Sequence, residues 1–85
     1  MNHSYIVRRQ AVLELLKISR SNLYQKIDKG LWPAPIQLGA RAVGWLSSEN
    51  EQVLSAMIAG QNQEEIKHLI KTLEANRKLV RGEAV

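Results

Sequence analysis

The 85-residue sequence contains no cysteine and no long hydrophobic run. Without cysteine the chain has no disulfide, no thiolate zinc site and no cysteine nucleophile, which excludes the usual means of stabilising a small secreted scaffold. Its apolar runs are far shorter than the roughly 20 residues that span a bilayer, and the N-terminus lacks a signal-peptide core. These absences predict a protein of the cytoplasm.

Residues that carry catalysis or bind cofactors are also scarce. His3 and His68 have no carboxylate at a recognisable spacing, and no glycine-rich phosphate loop opens a helix. Ser47 and Ser48 are better explained as helix-capping residues than as nucleophiles. The sequence therefore predicts no enzyme activity, no metal, no cofactor and no small-molecule substrate.

What the chain does have is an uneven distribution of positive charge. Residues 1–45 carry a net charge of +5, whereas residues 46–85 carry −1, giving +4 in total. Such an excess is typical of a surface that binds a polyanion, although an unevenly charged solvated surface gives the same count.

Two short helices are predicted within the basic half. Apolar residues at helical spacing predict the first over 9–16. Ser19 is a favourable N-cap for a second helix over 20–29, which Gly30 is expected to end. Two helices separated by two or three residues form a helix-turn-helix if both bury their apolar sides in one core.

The second predicted helix has two different faces. Leu23 and Ile27 lie on one side of a helical wheel, with Tyr24 at the margin. The opposite side carries short polar residues and one cation: Ser21, Asn22, Gln25 and Lys29. This face suits a DNA major groove, because asparagine and glutamine can make paired hydrogen bonds to adenine. Arg20, at the start of the helix, can make such bonds to guanine.

A proline-rich connector and a β-hairpin follow. The prolines exclude a helix over 32–35. Extended runs on both sides of a glycine-containing turn predict a hairpin over 36–45, a wing with Arg41 at its tip. Arg41 suits a minor groove or a flanking phosphate, and the Tyr24 hydroxyl suits a phosphate. Trp32 and Trp45 are predicted to anchor the core.

Two further helices are predicted in the second half. Ser48 and Glu51 have the spacing of a capping box for a helix that ends at Gly60, and Asn62 with Glu65 predicts the start of another. The last helix carries an apolar stripe, which predicts either a homodimer or packing back onto the same chain. The residues of that stripe proposed for self-association are Ile66, Leu69, Leu73 and Val80.

Two stretches of the sequence resemble motifs of the AlpA-type prophage regulatory proteins, which are winged-helix relatives of phage excisionases and of the MerR-type DNA-binding domain. SRSNLY over residues 19–24 is similar to the family's Ser-Arg-Ser-Thr-Ile-Tyr. GLWPAPIQLGARAVGW over residues 30–45 is similar to Gly-x-Phe-Pro-x-Pro-x-x-Leu-Gly-x-Arg-x-x-Gly-Trp. The chain departs from the family at Lys17, where glycine is common, and at Gln25, where a basic residue is common. Either Lys17 adopts a left-handed conformation or the turn differs.

The resemblance implies a mainly α winged helix-turn-helix with a small β-hairpin over residues 5–59, and a C-terminal helical extension over residues 60–85. It implies a DNA-binding transcriptional regulator of a prophage or mobile element, associated with the bacterial nucleoid, with helix 20–29 in the major groove and wing 36–45 on the minor groove or backbone. The residues expected to contact double-stranded DNA are Arg20, Ser21, Asn22, Tyr24, Gln25, Lys29 and Arg41. The alternative is a protein-interaction module that acts through the C-terminal helix.

Overall fold

A computed structural model describes residues 4–80 and side chains as far as Arg77. In chain order the elements are β1 (Ile6–Arg8), α1 (Arg9–Leu16), α2 (Arg20–Asp28), β2 (Ile36–Gln37), β3 (Val43–Leu46), α3 (Ser47–Ile58) and α4 (Gln63–Val80). The predicted fold class, a mainly helical winged helix-turn-helix with a C-terminal helix, is confirmed. Within residues 4–80 none of the helices has both the length and the apolar character needed to cross a membrane.

The corner between α1 and α2 is built by local backbone chemistry. Lys17 adopts the left-handed conformation, with φ of 57°, which resolves the two alternatives for this turn. Ser19 caps α2 as predicted, because its Oγ accepts a hydrogen bond from the Asn22 amide at 3.2 Å. The helix ends at Asp28, one residue earlier than expected, and Gly30 follows with φ of 75°.

The wing belongs to a three-stranded antiparallel sheet with the order β1-β3-β2. The predicted hairpin is present, but the additional strand β1 pairs Ile6 with Leu46 and Arg8 with Gly44. Strand β1 is not predicted from the sequence, because its three residues are too few to show an alternating pattern. The strand is stabilised by pairing with a segment almost 40 positions away.

One hydrophobic core joins the helices and the sheet. Its fully buried members include Trp32 and Trp45, as predicted, and the Trp45 indole Nε1 donates to the Pro33 carbonyl at 2.8 Å. This bond fixes the proline-rich connector against β3. The buried apolar residues are Val12, Leu23, Trp32, Trp45, Val53, Ala56, Ile66, Ile70 and Leu73.

The predicted capping box at the start of α3 is wrong. The helix begins at Ser47, and the preceding Leu46 provides no side-chain cap. The two serines bind the N-terminal segment instead: the Tyr5 amide donates to Ser47 Oγ at 2.9 Å, and Ser48 Oγ lies 3.0 Å from Ser4 Oγ. These partners are available only because β1 pairs with β3.

The start of α4 matches its prediction. The Asn62 amide donates to Glu65 Oε1 and the Glu65 amide donates to Asn62 Oδ1, both at 2.9 Å. This reciprocal cap satisfies two of the donors that every helix leaves unpaired at its N-terminus.

The apolar stripe of α4 faces the chain's own core. Ile66, Ile70 and Leu73 are at most 6% exposed, and Leu69 is half-buried against them. A homodimer through this stripe would have to remove Ile66 and Leu73 from the core. The side chain of Val80, the other residue proposed for it, lies outside the described residues. The homodimer therefore stays a prediction that the packing of Ile66 and Leu73 disfavours.

A buried ion pair holds the end of α4. Arg77 Nε donates to Glu49 Oε2 at 2.9 Å, and the Glu49 residue is only 3% exposed. Arg77 Nη2 also donates to the Ala34 carbonyl at 2.8 Å, and the Ala34 amide donates to Glu74 Oε2 at 2.9 Å. These contacts join α4 to both α3 and the connector that leads into the wing.

Candidate nucleic-acid interface

The outer face of α2 is exposed along its length. Leu23 is fully buried and Ile27 half-buried, so the helix turns its apolar side to the core as the wheel predicts. Five of the seven residues expected to contact DNA lie on the exposed side or at the helix end: Arg20, Ser21, Asn22, Gln25 and Lys29. This face combines hydrogen-bonding and basic groups with no large apolar side chain.

Tyr24 lies at the margin of this face. Its ring is half-buried, and its hydroxyl accepts a hydrogen bond from Arg9 Nη1 at 3.3 Å. A phenol that accepts one hydrogen bond retains its own proton for donation. The hydroxyl is therefore free to donate to an acceptor such as a phosphate oxygen.

Arg41 is exposed in the turn between β2 and β3. The turn is closed by the Leu38 amide, which donates to the Ala42 carbonyl at 2.8 Å, and by the Gln37 side-chain amide, which donates to the Gly39 carbonyl. Small neighbours on both sides, Ala40 and Ala42, leave room around the Arg41 guanidinium.

A cleft connects the wing to the start of α1. It has a volume of about 240 Å³ and is lined by Arg8, Arg9, Gln10, Arg41 and Val43. Arg8 Nε donates to the Val43 carbonyl at 3.1 Å, so the Arg8 side chain lies along the wing. We call this feature the arginine cleft.

Arg8 and Arg9 also belong to this surface, although the sequence alone predicts them only as part of the positive charge. Their position depends on β1, which aligns Arg8 with Gly44 of β3. The signal that could have identified them is the pair of arginines directly after the β-branched residues Ile6 and Val7, a run that favours a strand.

A second, larger cleft has the opposite charge. It lies between α3 and α4, has a volume of about 1000 Å³, and its lining includes Glu51, Glu64 and Glu65 but no lysine or arginine. A DNA phosphate would be repelled there. None of the residues predicted to contact DNA lines it.

Metal-binding geometry is not found among residues 4–80, where no three histidine, cysteine, aspartate or glutamate side chains converge. His68 is exposed on α4 and lines the acidic cleft. His3 lies outside the described residues.

Comparison with known proteins places the chain in a family. The family model of the prophage CP4-57 regulatory protein (AlpA) matches residues 5–57, from the segment before β1 almost to the end of α3. The uncharacterized protein ORF88 of Enterobacteria phage P4 is 38% identical over 52 residues, which are 61% of this chain and 59% of the phage protein. The chain thus spans less than two thirds of that relative. No solved structure matches it. Because the family match covers more than half of the sequence and contains the whole helix-turn-helix and wing, the chain belongs to the AlpA family of prophage regulatory proteins.

Proposed function

We propose that the protein is a sequence-specific DNA-binding transcriptional regulator of a prophage or related mobile element. In this proposal α2 enters the major groove and the wing contacts the minor groove or the backbone. The main observation in support of this proposal is the exposed polar face of α2. The basic half of the chain also presents an exposed wing with Arg41 in its turn. A regulator of this kind acts at the bacterial nucleoid.

Each predicted contact residue has a role that its chemistry suits. Asn22 and Gln25 present side-chain amides that can make paired hydrogen bonds to adenine, and Arg20 can do the same to guanine. Ser21, Tyr24 and Lys29 are suited to phosphate oxygens, which orient a protein on the duplex without reading its sequence. Arg41 would insert into the minor groove or contact a flanking phosphate.

The charge distribution also favours DNA binding through the surface formed by α1, α2 and the wing. The basic half contains α1, α2 and the wing, whereas the cleft between α3 and α4 is acidic. A polyanion approaching the molecule is attracted to the first surface and repelled from the second. The alternative function, a protein-interaction module acting through the C-terminal helix, does not account for the exposed polar face of α2.

The experiment begins with selection of bound duplexes from a random pool, to find the preferred sequence. Asn22→Ala and Gln25→Ala should then each weaken binding to that duplex by about 1–3 kcal/mol and reduce its preference over unrelated DNA. Lys29→Ala should weaken binding to all duplexes alike, because a phosphate contact carries no sequence information. The matched control is Gln52→Ala, which removes the same side-chain amide from an exposed position on α3.

A preference left unchanged by both Asn22→Ala and Gln25→Ala would contradict the assignment of α2 as the reading helix. Wild-type protein that selects no sequence from the pool would contradict sequence-specific regulation itself.

A further inference from the structure

We propose that the arginine cleft binds one phosphate group of the DNA backbone, shared by Arg8, Arg9 and Arg41, and so fixes α2 and the wing in a single register on the duplex. The inference rests on the proposed DNA-binding function and adds two residues to it. Arg8 and Arg9 lie outside both the reading helix and the hairpin.

The composition of the cleft indicates an anion. Three of its five lining residues are arginines, and the other two, Gln10 and Val43, carry no charge. Guanidinium groups brought together without a carboxylate repel one another, and an anion placed between them removes that repulsion. Arginine is also the side chain whose planar set of donors fits phosphate oxygens.

The size and openness of the cleft are compatible with a phosphate on a duplex. Its volume is about 240 Å³, and it is open to solvent on one side. A backbone phosphate on the edge of a duplex can therefore reach the arginines while the rest of the nucleotide stays outside the cleft.

Two of the three arginines are already oriented by the protein. Arg8 uses Nε to bind the Val43 carbonyl, and Arg9 uses Nη1 to bind the Tyr24 hydroxyl. A guanidinium has five N–H donors, so each side chain keeps most of its donors for a ligand. Orientation before binding reduces the conformational entropy that is lost when the phosphate arrives.

The same two bonds explain why this phosphate would determine register. Arg8 is bonded to β3 of the wing, whereas Arg9 is bonded to Tyr24 of α2. A phosphate held by both arginines is therefore connected to both DNA-contacting elements. Arg9 contacts the phosphate directly and also positions the Tyr24 hydroxyl.

The test measures the salt dependence of DNA binding for three variants. The first is Arg8→Ala, the second adds Arg9→Ala to it, and the third adds Arg41→Ala to both. The slope of log affinity against log salt changes by about 0.9 for each B-DNA phosphate that the protein no longer neutralises. Because the three arginines share one phosphate, the triple variant should show a total change in slope of about 0.9, and the single and double variants should show no larger change. Affinity should fall by equal factors on the preferred duplex and on unrelated DNA.

Lys71→Ala, which removes an exposed cation from α4, controls for net charge, and circular dichroism checks that each variant is folded.

A second readout uses duplexes in which one backbone phosphate at a time is replaced by an uncharged methylphosphonate. At one position the replacement should weaken wild-type binding and abolish the effect of Arg8→Ala.

The outcomes separate this inference from the proposed function. A total change in slope of about 1.8 or 2.7 in the triple variant would show two or three separate phosphates, and an unchanged slope would show none; each of these results overturns the shared site while sequence preference stays intact. A wild-type protein that binds all duplexes equally well would instead overturn the proposed function. Failure of the wild-type protein to bind any DNA would overturn both.

Discussion

Lys17 is strained at the corner between α1 and α2. Among residues 4–80 it is the non-glycine residue with positive φ, at 57°. Its amide donates to the Leu13 carbonyl, and the Ile18 amide donates to the same oxygen at 3.2 Å. A left-handed conformation costs an L-residue about 1–2 kcal/mol. The bonds to Leu13 and the burial of both helices hold Lys17 in this conformation.

Replacing Lys17 with glycine should stabilise the protein. Glycine adopts positive φ without steric strain but loses about 0.5–1 kcal/mol through its greater freedom in the unfolded chain. We expect Lys17→Gly to raise the free energy of unfolding by about 0.5–1 kcal/mol, measured by urea denaturation. Lys17→Ala removes the same charge and keeps the strain, so it should give no gain. An equal gain in both variants would attribute the effect to charge.

Two pairs of residues with capping-box spacing had different outcomes. Asn62 and Glu65 form the predicted reciprocal cap, because their partners lie within three residues and no other group competes. Ser48 and Glu51 have the same spacing, but Ser48 bonds to Ser4, which is 44 positions away. Local capping rules predict a helix start only where long-range pairing leaves the side chain available.

At the scale of the elements, the wing sheet depends on a close approach at Gly44. This residue lies in the central strand β3, with Arg8 of β1 on one side and Ile36 of β2 on the other. A Cβ added at Gly44 would lie 2.7 Å from Ile6 Cγ2 and 3.0 Å from Leu38 Cδ1. Because Gly44 has no side chain, those of Ile6 and Leu38 can pack directly against the backbone of the central strand.

Gly44→Ala should destabilise the protein, because the added methyl group overlaps Ile6 and forces it or the strand to move. Overpacking of this kind costs about 1–3 kcal/mol. Thermal unfolding followed by circular dichroism measures the change. Gly39→Ala is the matched control in the wing turn, since an added Cβ there meets nothing within 4 Å. Equal melting temperatures for the two variants would contradict the packing argument.

The helices and the wing were predictable because each has a signal within its own segment. Ser19 and Gly30 mark the ends of α2, and the prolines of the connector exclude a helix before the hairpin. Strand β1 has only a weak signal of its own, the β-branched residues Ile6 and Val7, and it forms through pairing with β3. The sequence therefore predicts Arg41 as part of the candidate site, whereas Arg8 and Arg9, whose positions follow from β1, cannot be predicted in the same way.

At the scale of the whole molecule, α4 is part of the same core as the winged domain. Its Ile66, Ile70 and Leu73 pack in one cluster with both tryptophans. The sequence could not choose between packing back and self-association, because the same apolar stripe serves either arrangement. The division at residues 59 and 60 stays a prediction, and the two segments share this buried cluster.

Arg77→Ala should strongly destabilise the molecule by leaving the buried Glu49 carboxylate without its partner. The two side chains are 17% and 4% exposed, and removal of one member of a buried pair costs about 3–5 kcal/mol. Chemical denaturation measures the loss of stability. Lys71→Ala, at an exposed position of the same helix, should change stability by no more than about 0.5 kcal/mol. Similar effects in both variants would contradict a structural role for the Glu49 pair.

The complete burial of Trp32 and Trp45 gives the protein a built-in optical reporter. Both indoles are shielded from water, and neither belongs to α2 or to the wing turn. Their fluorescence emission should shift to longer wavelength as the core opens and should keep its maximum when a duplex binds the folded protein. Emission wavelength and the anisotropy of a labelled duplex can therefore be recorded on one sample, which separates a variant that folds but no longer binds DNA from one that no longer folds.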